Sequence, residues 1–104
     1  MKKPTEVTIG PRKFTIEYHA HLLNGDKTQR LNGHIMYDQA TIKIDDGLSD
    51  QSTRLTIMHE IIHGVADAAL VELDEKEVEI LANVLTASLA ASPEIVNMFL
   101  ETTC

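Results

Sequence analysis

The residues that point most directly to chemistry are His59, Glu60 and His63, which form an H-E-x-x-H sequence in a segment with helical periodicity. Residues four apart lie on one face of a helix, so both imidazoles can reach the same metal ion. Glu60 directly follows the first histidine and can act as general base toward a water that the metal activates. The pattern predicts a zinc site. The alternative is a chance occurrence of these residues on an amphipathic helix.

The third ligand of such a site has to come from elsewhere in the chain, because a catalytic zinc takes three protein ligands. No further histidine follows the motif, so the acidic segment 72–79 is the expected source. At about 100° per residue, Glu75 aligns with Val78 and Ala82 on the apolar stripe of the second predicted helix, where a charged residue is unusual. Glu75 is therefore the predicted ligand and Glu79 the second candidate. The alternative for Glu75 is an acid placed to interact with the helix dipole.

Other polar residues have less specific roles. Asp67 lies four residues after His63 and could orient that imidazole, although a surface acid is an equal expectation. Tyr37 could donate its phenol hydrogen to an oxyanion, whereas a half-buried strand tyrosine is the commoner role. Gly64 could allow another backbone to approach, or could be an ordinary helix glycine. The remaining histidines share no ligand spacing and are expected at the surface: His19, His21 and His34.

The first half of the chain has the patterns of β-strands. Apolar and polar residues alternate in four short runs: 7–9, 14–18, 35–37 and 40–44. Gly10-Pro11 separates the first two runs, and Asp38-Gln39 separates the last two, so each pair is expected to form a hairpin. These patterns predict a small antiparallel sheet of three to four strands.

The second half has the patterns of helices. Apolar residues recur at helical spacing after Ser49, after Asp74 and after Ser92-Pro93, and these residues are the expected N-caps and helix starts. The order of elements predicts an α+β fold, in which the sheet is followed by two main helices and a short C-terminal helix.

The size and charge of the chain restrict its class. Residues 1–104 suit one small domain. Residues 60–104 carry one basic and nine acidic side chains, which argues against a nucleic-acid surface there. Neither a signal peptide nor a transmembrane stretch is evident in the sequence. The single cysteine, Cys104, cannot form an internal disulfide, so a cytoplasmic location is expected; the oligomeric state stays open.

A family resemblance joins the H-E-x-x-H run to other segments of the chain. The segments are Ile9-Gly10, Phe14 to Glu17, Gly33 to Asp38, Thr41 to Ile44, Leu48-Ser49, Leu55 to His63, Glu75 to Ala82 and Ser92 to Glu94. In this order they resemble small proteins that phages and prophages of Gram-positive bacteria encode, which are described as metallopeptidases distantly similar to the ImmA/IrrE type. The resemblance implies a minimal zincin-like fold with a sheet edge that can hold a peptide as an added strand.

Three functions stay open on the sequence. The leading hypothesis is a zinc-dependent metallopeptidase of phage or prophage origin, with zinc on His59, His63 and Glu75, Glu60 as base, and a phage or host regulatory protein as substrate. The second is a non-catalytic metal-binding or protein-interaction module. The third is an adaptor of a mobile element that binds a repressor without cutting it. Glu60 favours the first, because a binding-only site needs the histidines and not the base.

Overall fold

A computed structural model describes residues 1–101, so Cys104 lies outside the described residues. The chain forms four strands and then three helices: β1 (Glu6–Ile9), β2 (Arg12–His19), β3 (Gly33–Met36), β4 (Thr41–Asp45), α1 (Asp50–Ala69), α2 (Glu75–Ala90) and α3 (Pro93–Leu100). The predicted α+β fold, with two main helices and a short C-terminal one, is therefore confirmed.

The four strands form a single sheet in the order β1-β2-β4-β3. The two predicted hairpins, β1–β2 and β3–β4, are antiparallel, but β2 and β4 are parallel, so the sheet is mixed and not wholly antiparallel. The long connection 20–32 carries the chain past the position of β4, and only antiparallel neighbours can be joined by a tight turn. Ile42 and Ile44 are fully buried, which explains why β4 takes a central position.

β3 lies at an open edge of the sheet. The backbone N–H of Asp45 donates to the carbonyl of Asn32, and hydrogen-bonded and non-bonded pairs alternate along an antiparallel ladder. Gly33 and Ile35 therefore fall in the non-bonded pairs of the observed register. Their N–H and C=O groups point away from β4, where a further extended chain could pair with them.

The main core lies between the sheet and α1. It consists of six buried apolar side chains: Ile9, Phe14, Ile16, Ile35, Ile42 and Ile44. Gly64 of α1 faces this core, and a Cβ atom there would lie 2.7 Å from Cδ1 of Ile9 and 3.3 Å from Cδ1 of Ile35. Gly64 thus makes room for strand side chains and not for another backbone.

Both main helices begin at the predicted caps. Ser49 Oγ accepts a hydrogen bond from the backbone N–H of Ser52 at 3.1 Å. Asp74 accepts one from the N–H of Glu77 at 2.8 Å, and the Glu77 side chain accepts one from the N–H of Asp74 at 2.9 Å. This reciprocal capping box fixes where α2 starts. Ser92 precedes α3 as predicted, although its side chain makes no capping bond.

The last two helices are apolar along much of their length. Within residues 1–101 no single helix is long and apolar enough to cross a membrane. α2 and α3 reach that length and composition only together, and they are bent by 88° relative to each other.

Candidate metal centre

The two histidines of the motif lie on adjacent turns of α1, on the side that faces the start of α2. Their ring centroids are 5.0 Å apart, as expected for residues four apart on a helix. The side chains of His59 and His63 are 23% and 22% exposed, so both rings lie partly at the surface. The predicted pair of ligands therefore faces one point in space.

Glu75, the first residue of α2, completes the group. Val78 and Ala82 continue its side of the helix and are buried against α1, which fixes the position of α2. Glu75 Oε2 lies 3.1 Å from His59 Nε2, and Glu75 Oε1 lies 2.6 Å from His63 Nε2. The structure thus brings together the three residues predicted as ligands from the sequence.

The donor set of this cluster fits zinc. One ligand atom from each of the three side chains lies within 4.8 Å of the others, and no other such group of His, Cys, Asp or Glu occurs in residues 1–101. Two imidazoles and one carboxylate leave a fourth coordination position free, as in catalytic zinc sites. Tetrahedral zinc with bonds of about 2.1 Å separates its ligand atoms by about 3.4 Å, so small side-chain movements suffice. The Glu75 side chain, 75% exposed, is free to make them.

The other two acids considered from the sequence lie beside the cluster and not in it. Glu79 lines an adjoining cleft together with Ser52 and Asn83. Asp67 lines a cleft on the opposite side of the cluster and makes no hydrogen bond to His63 among the described contacts. Glu75 therefore lies within reach of the two histidines and Glu79 does not belong to that group. The structure gives no support to Asp67 as the hydrogen-bond partner of His63.

Glu60 faces the sheet and is only 6% exposed. Its carboxylate makes no hydrogen bond among the described contacts, and Glu60 lines the space beside the two histidines. Burial raises the pKa of Glu60 to about 7, and the negative charge of Glu75 adds to this effect. A carboxyl group that titrates near neutral pH can both accept and release a proton, which suits a general base.

The burial of Glu60 depends on Gly33, a residue whose importance was not evident from the sequence. A Cβ atom at Gly33 would lie 2.6 Å from Thr56 Cγ2 and 3.3 Å from both Cγ and Oε2 of Glu60. Only a glycine lets β3 pass this close to α1. The sequence signal is a glycine at the start of an alternating run, which cannot be interpreted until the helix that the strand covers is known.

A cleft of about 410 Å³ connects these groups. It is lined by His59, His63, Glu75 and Glu60, and by Gly33 and Ile35 of β3. Tyr37 lines the same cleft, and burial, followed by the charges of Asp67 and Glu60, raises the pKa of its phenol. Tyr37 therefore stays protonated and can donate a hydrogen bond.

The three remaining histidines do not belong to the group formed by His59, His63 and Glu75. His34 is exposed and lines the cleft from the β3 side. His19 pairs with Glu17 at 2.9 Å on the sheet, and His21 is exposed in the following turn. None of them supplies a ligand atom to the group, in agreement with the sequence expectation.

Comparison of the chain with protein-family models, with curated proteins and with solved structures gives no match. The resemblance to phage-encoded H-E-x-x-H proteins therefore stays a prediction.

Proposed function

We propose that this chain is a zinc-dependent metallopeptidase of phage or prophage origin that acts in the cytoplasm. The observation that carries the proposal is the convergence of His59, His63 and Glu75 beside the buried carboxylate of Glu60. A site that only binds metal needs the three ligands. It gains nothing from a largely buried carboxylate beside them, because burial disfavours the charged form of such a group.

Each residue has a role that its position supports. His59, His63 and Glu75 would hold the zinc, which when bound polarises a carbonyl and lowers the pKa of a water in its open position. Glu60, on the inner wall of the cleft, takes the proton of the attacking water and returns it to the leaving amine. Tyr37 donates from its phenol to the carbonyl oxygen as negative charge develops there.

The substrate would be an extended peptide segment. The outward-facing backbone groups of Gly33 and Ile35 line the cleft, so a peptide can pair with β3 as an added strand and pass in front of the ligands. Clefts adjoin the site on both sides, one toward Asn83 and one toward Asp67, which provides space for several residues of substrate. A phage or host regulatory protein is the proposed partner, and the acidic second half disfavours nucleic acid.

The test is Glu60→Gln, which keeps the size of the side chain and removes the base. We expect this variant to retain fold, zinc content and partner binding, and to lose cleavage by about 10²- to 10⁴-fold. The matched control is Glu17→Gln, the same change at an exposed glutamate of β2. Candidate substrates are found by comparing protein N-termini in cells that express Glu17→Gln with those in cells that express Glu60→Gln. A protein that is cut only in the first is then purified and tested for cleavage directly.

Two results would contradict the proposal. If zinc-loaded wild type binds its partner and leaves it intact, the protein is an interaction module. If wild type and Glu60→Gln cleave equally, the activity does not depend on this carboxylate and the assignment of the base is wrong.

A further inference from the structure

The C-terminal apolar surface is the largest feature that the proposed peptidase function does not use. We give this name to seven side chains of α2 and α3 that are 40–78% exposed: Leu81, Leu85, Leu89, Ile95, Met98, Phe99 and Leu100. Leu85 and Leu89 continue the buried stripe of α2, yet they are 42% and 40% exposed. Phe99 is exposed by 78%. Several large apolar side chains are therefore in contact with water on this surface.

Within residues 1–101, α3 has little packing that would hold it as a helix. It spans eight residues, none of them buried, and within the described chain it packs only on α2. A helix this short is marginal in water, because the stability of helices in proteins comes mainly from packing of an apolar face. The apolar face of α3 consists of Ile95, Met98 and Phe99, and all three are about half exposed or more. A partner that covers this face would supply the missing contacts.

The charge of the surface indicates what kind of partner fits. Residues 80–100 contain a single charged side chain, Glu94, although the whole chain has a net charge of -7. Protein interfaces are depleted of charged residues at their centre, and a strongly charged partner would find nothing to pair with here. Lipid is disfavoured as well, because helices that bind membrane surfaces carry Lys and Arg on their polar face, and no basic residue follows Lys76. A second copy of the chain meets both conditions, since its own matching surface is equally uncharged.

The area also suits self-association. With about 60–120 Å² for an aliphatic side chain and more for Phe99, exposures of 40–78% amount to on the order of 400 Å² of apolar surface. A standard interface buries about 800 Å² per partner, of which roughly 60% is apolar, so a similar apolar area is required. We propose that two copies of this chain form an isologous dimer through the C-terminal apolar surface, with α2 and α3 of both copies packed together.

The metal ligands are not part of this surface. Its nearest member, Leu81, lies six residues after Glu75, and Leu89 lies fourteen residues after it, which at about 1.5 Å per residue is about 9 Å and 21 Å along the helix. The experiment below measures mass and not cleavage, so the inference can hold or fail separately from the peptidase proposal.

The experiment is sedimentation equilibrium of the full chain over a wide concentration range, with reductant present so that Cys104 cannot cross-link. We expect a species of twice the chain mass. Phe99→Glu should raise the dimer dissociation constant at least about a hundredfold, because a buried aromatic anchor commonly dominates an interface. Leu85→Glu should have the same effect from α2. The matched control is Val65→Glu on α1, where a valine that is 50% exposed receives the same charge and dimerisation should persist.

Three outcomes would overturn the inference. Wild-type protein that is monomeric at all concentrations excludes the dimer. If that monomer also floats with zwitterionic vesicles in a Phe99-dependent manner, the surface binds lipid. A dimer that survives both glutamate substitutions, with circular dichroism showing intact helices, forms through another face.

Discussion

Gly33→Ala tests the closest contact between the sheet and the helix that carries the site. The new methyl group would sit 2.6 Å from Cγ2 of Thr56, a distance at which something has to move. Thr56 is buried and β-branched, so its side chain has few ways to rotate clear. The strand and the helix must therefore separate locally, and the carboxylate of Glu60, 3.3 Å from the same position, must shift with them.

The magnitude follows from two opposing terms. A Gly→Ala change in open space stabilises by about 0.4–1 kcal/mol, because it restricts the unfolded chain. Overpacking of a core contact costs about 1–3 kcal/mol. At Gly33 the second term exceeds the first, so we expect a net loss of about 1–2 kcal/mol in the free energy of unfolding. Gly25 is the matched control, because a Cβ atom there would have no neighbour within 4 Å.

The assay is urea unfolding of the metal-free wild type, Gly33→Ala and Gly25→Ala, followed by zinc analysis and cleavage by the metal-loaded proteins. Gly33→Ala should be less stable, should still bind one zinc, and should cleave more slowly because its base is displaced. Gly25→Ala should equal the wild type in stability or exceed it by up to about 1 kcal/mol, because it restricts only the unfolded chain. If the two variants are equally stable, β3 does not approach α1 as closely as described, and the account of the burial of Glu60 fails.

Three further predictions concern the ligands and the buried carboxylate of β4. Glu75→Gln should weaken zinc affinity by on the order of ten- to a hundredfold or more, and Glu79→Gln should have less effect; the reverse order in a competition titration would move the ligand to Glu79. Zinc should raise the melting temperature relative to chelator, since binding to the native state alone adds about 4 kcal/mol at a thousandfold excess over Kd; equal melting would mean that the site does not link α1 to α2. The hydrogen bonds of Arg30 and Gly47 lower the pKa of the buried Asp45 to about 2. The ionised Asp45 carboxylate therefore adds to the free energy of unfolding above an unfolded-state pKa of about 3.9, and this stabilisation is lost as the pH falls toward 2. Because the Arg30 side chain is 55% exposed and screened by solvent, we expect this stabilisation to be about 1–2 kcal/mol. The difference in unfolding free energy between metal-free wild type and Asp45→Asn should shrink between pH 6 and pH 2, and a constant difference would contradict the assignment.

The parts of the site that could be predicted from the sequence are those set by helical geometry. The spacing of His59 and His63 places both rings on one face of α1 without any knowledge of the fold. The alignment of Glu75 with Val78 and Ala82 places it toward α1, because those two residues had to be buried. Periodicity within one helix therefore predicted correctly that Glu75 lies beside the two histidines.

The parts that could not be predicted depend on which strands become neighbours. Alternation shows that Ile42 and Ile44 share a face with Ile35, but it does not show that β4 lies beside β2. That pairing is decided by which strand is best buried on both sides, a property of the assembled core. The edge position of β3, and with it the role of Gly33, follows only once the order β1-β2-β4-β3 is known.

The site divides its functions between two interfaces of one helix. Because Glu60 is one residue from His59, it points about 100° away around α1. When the histidines face α2, Glu60 is therefore directed toward β3. In the proposed peptidase, the contact with α2 supplies the third ligand, and the contact with β3 buries the base and offers an edge for substrate. Glu75→Gln should consequently weaken zinc binding and leave the stability of the metal-free fold near that of the wild type. Gly33→Ala should do the opposite: it should lower the free energy of unfolding and slow cleavage, but it should still bind zinc. If each variant disturbed both properties equally, the two interfaces would not act separately.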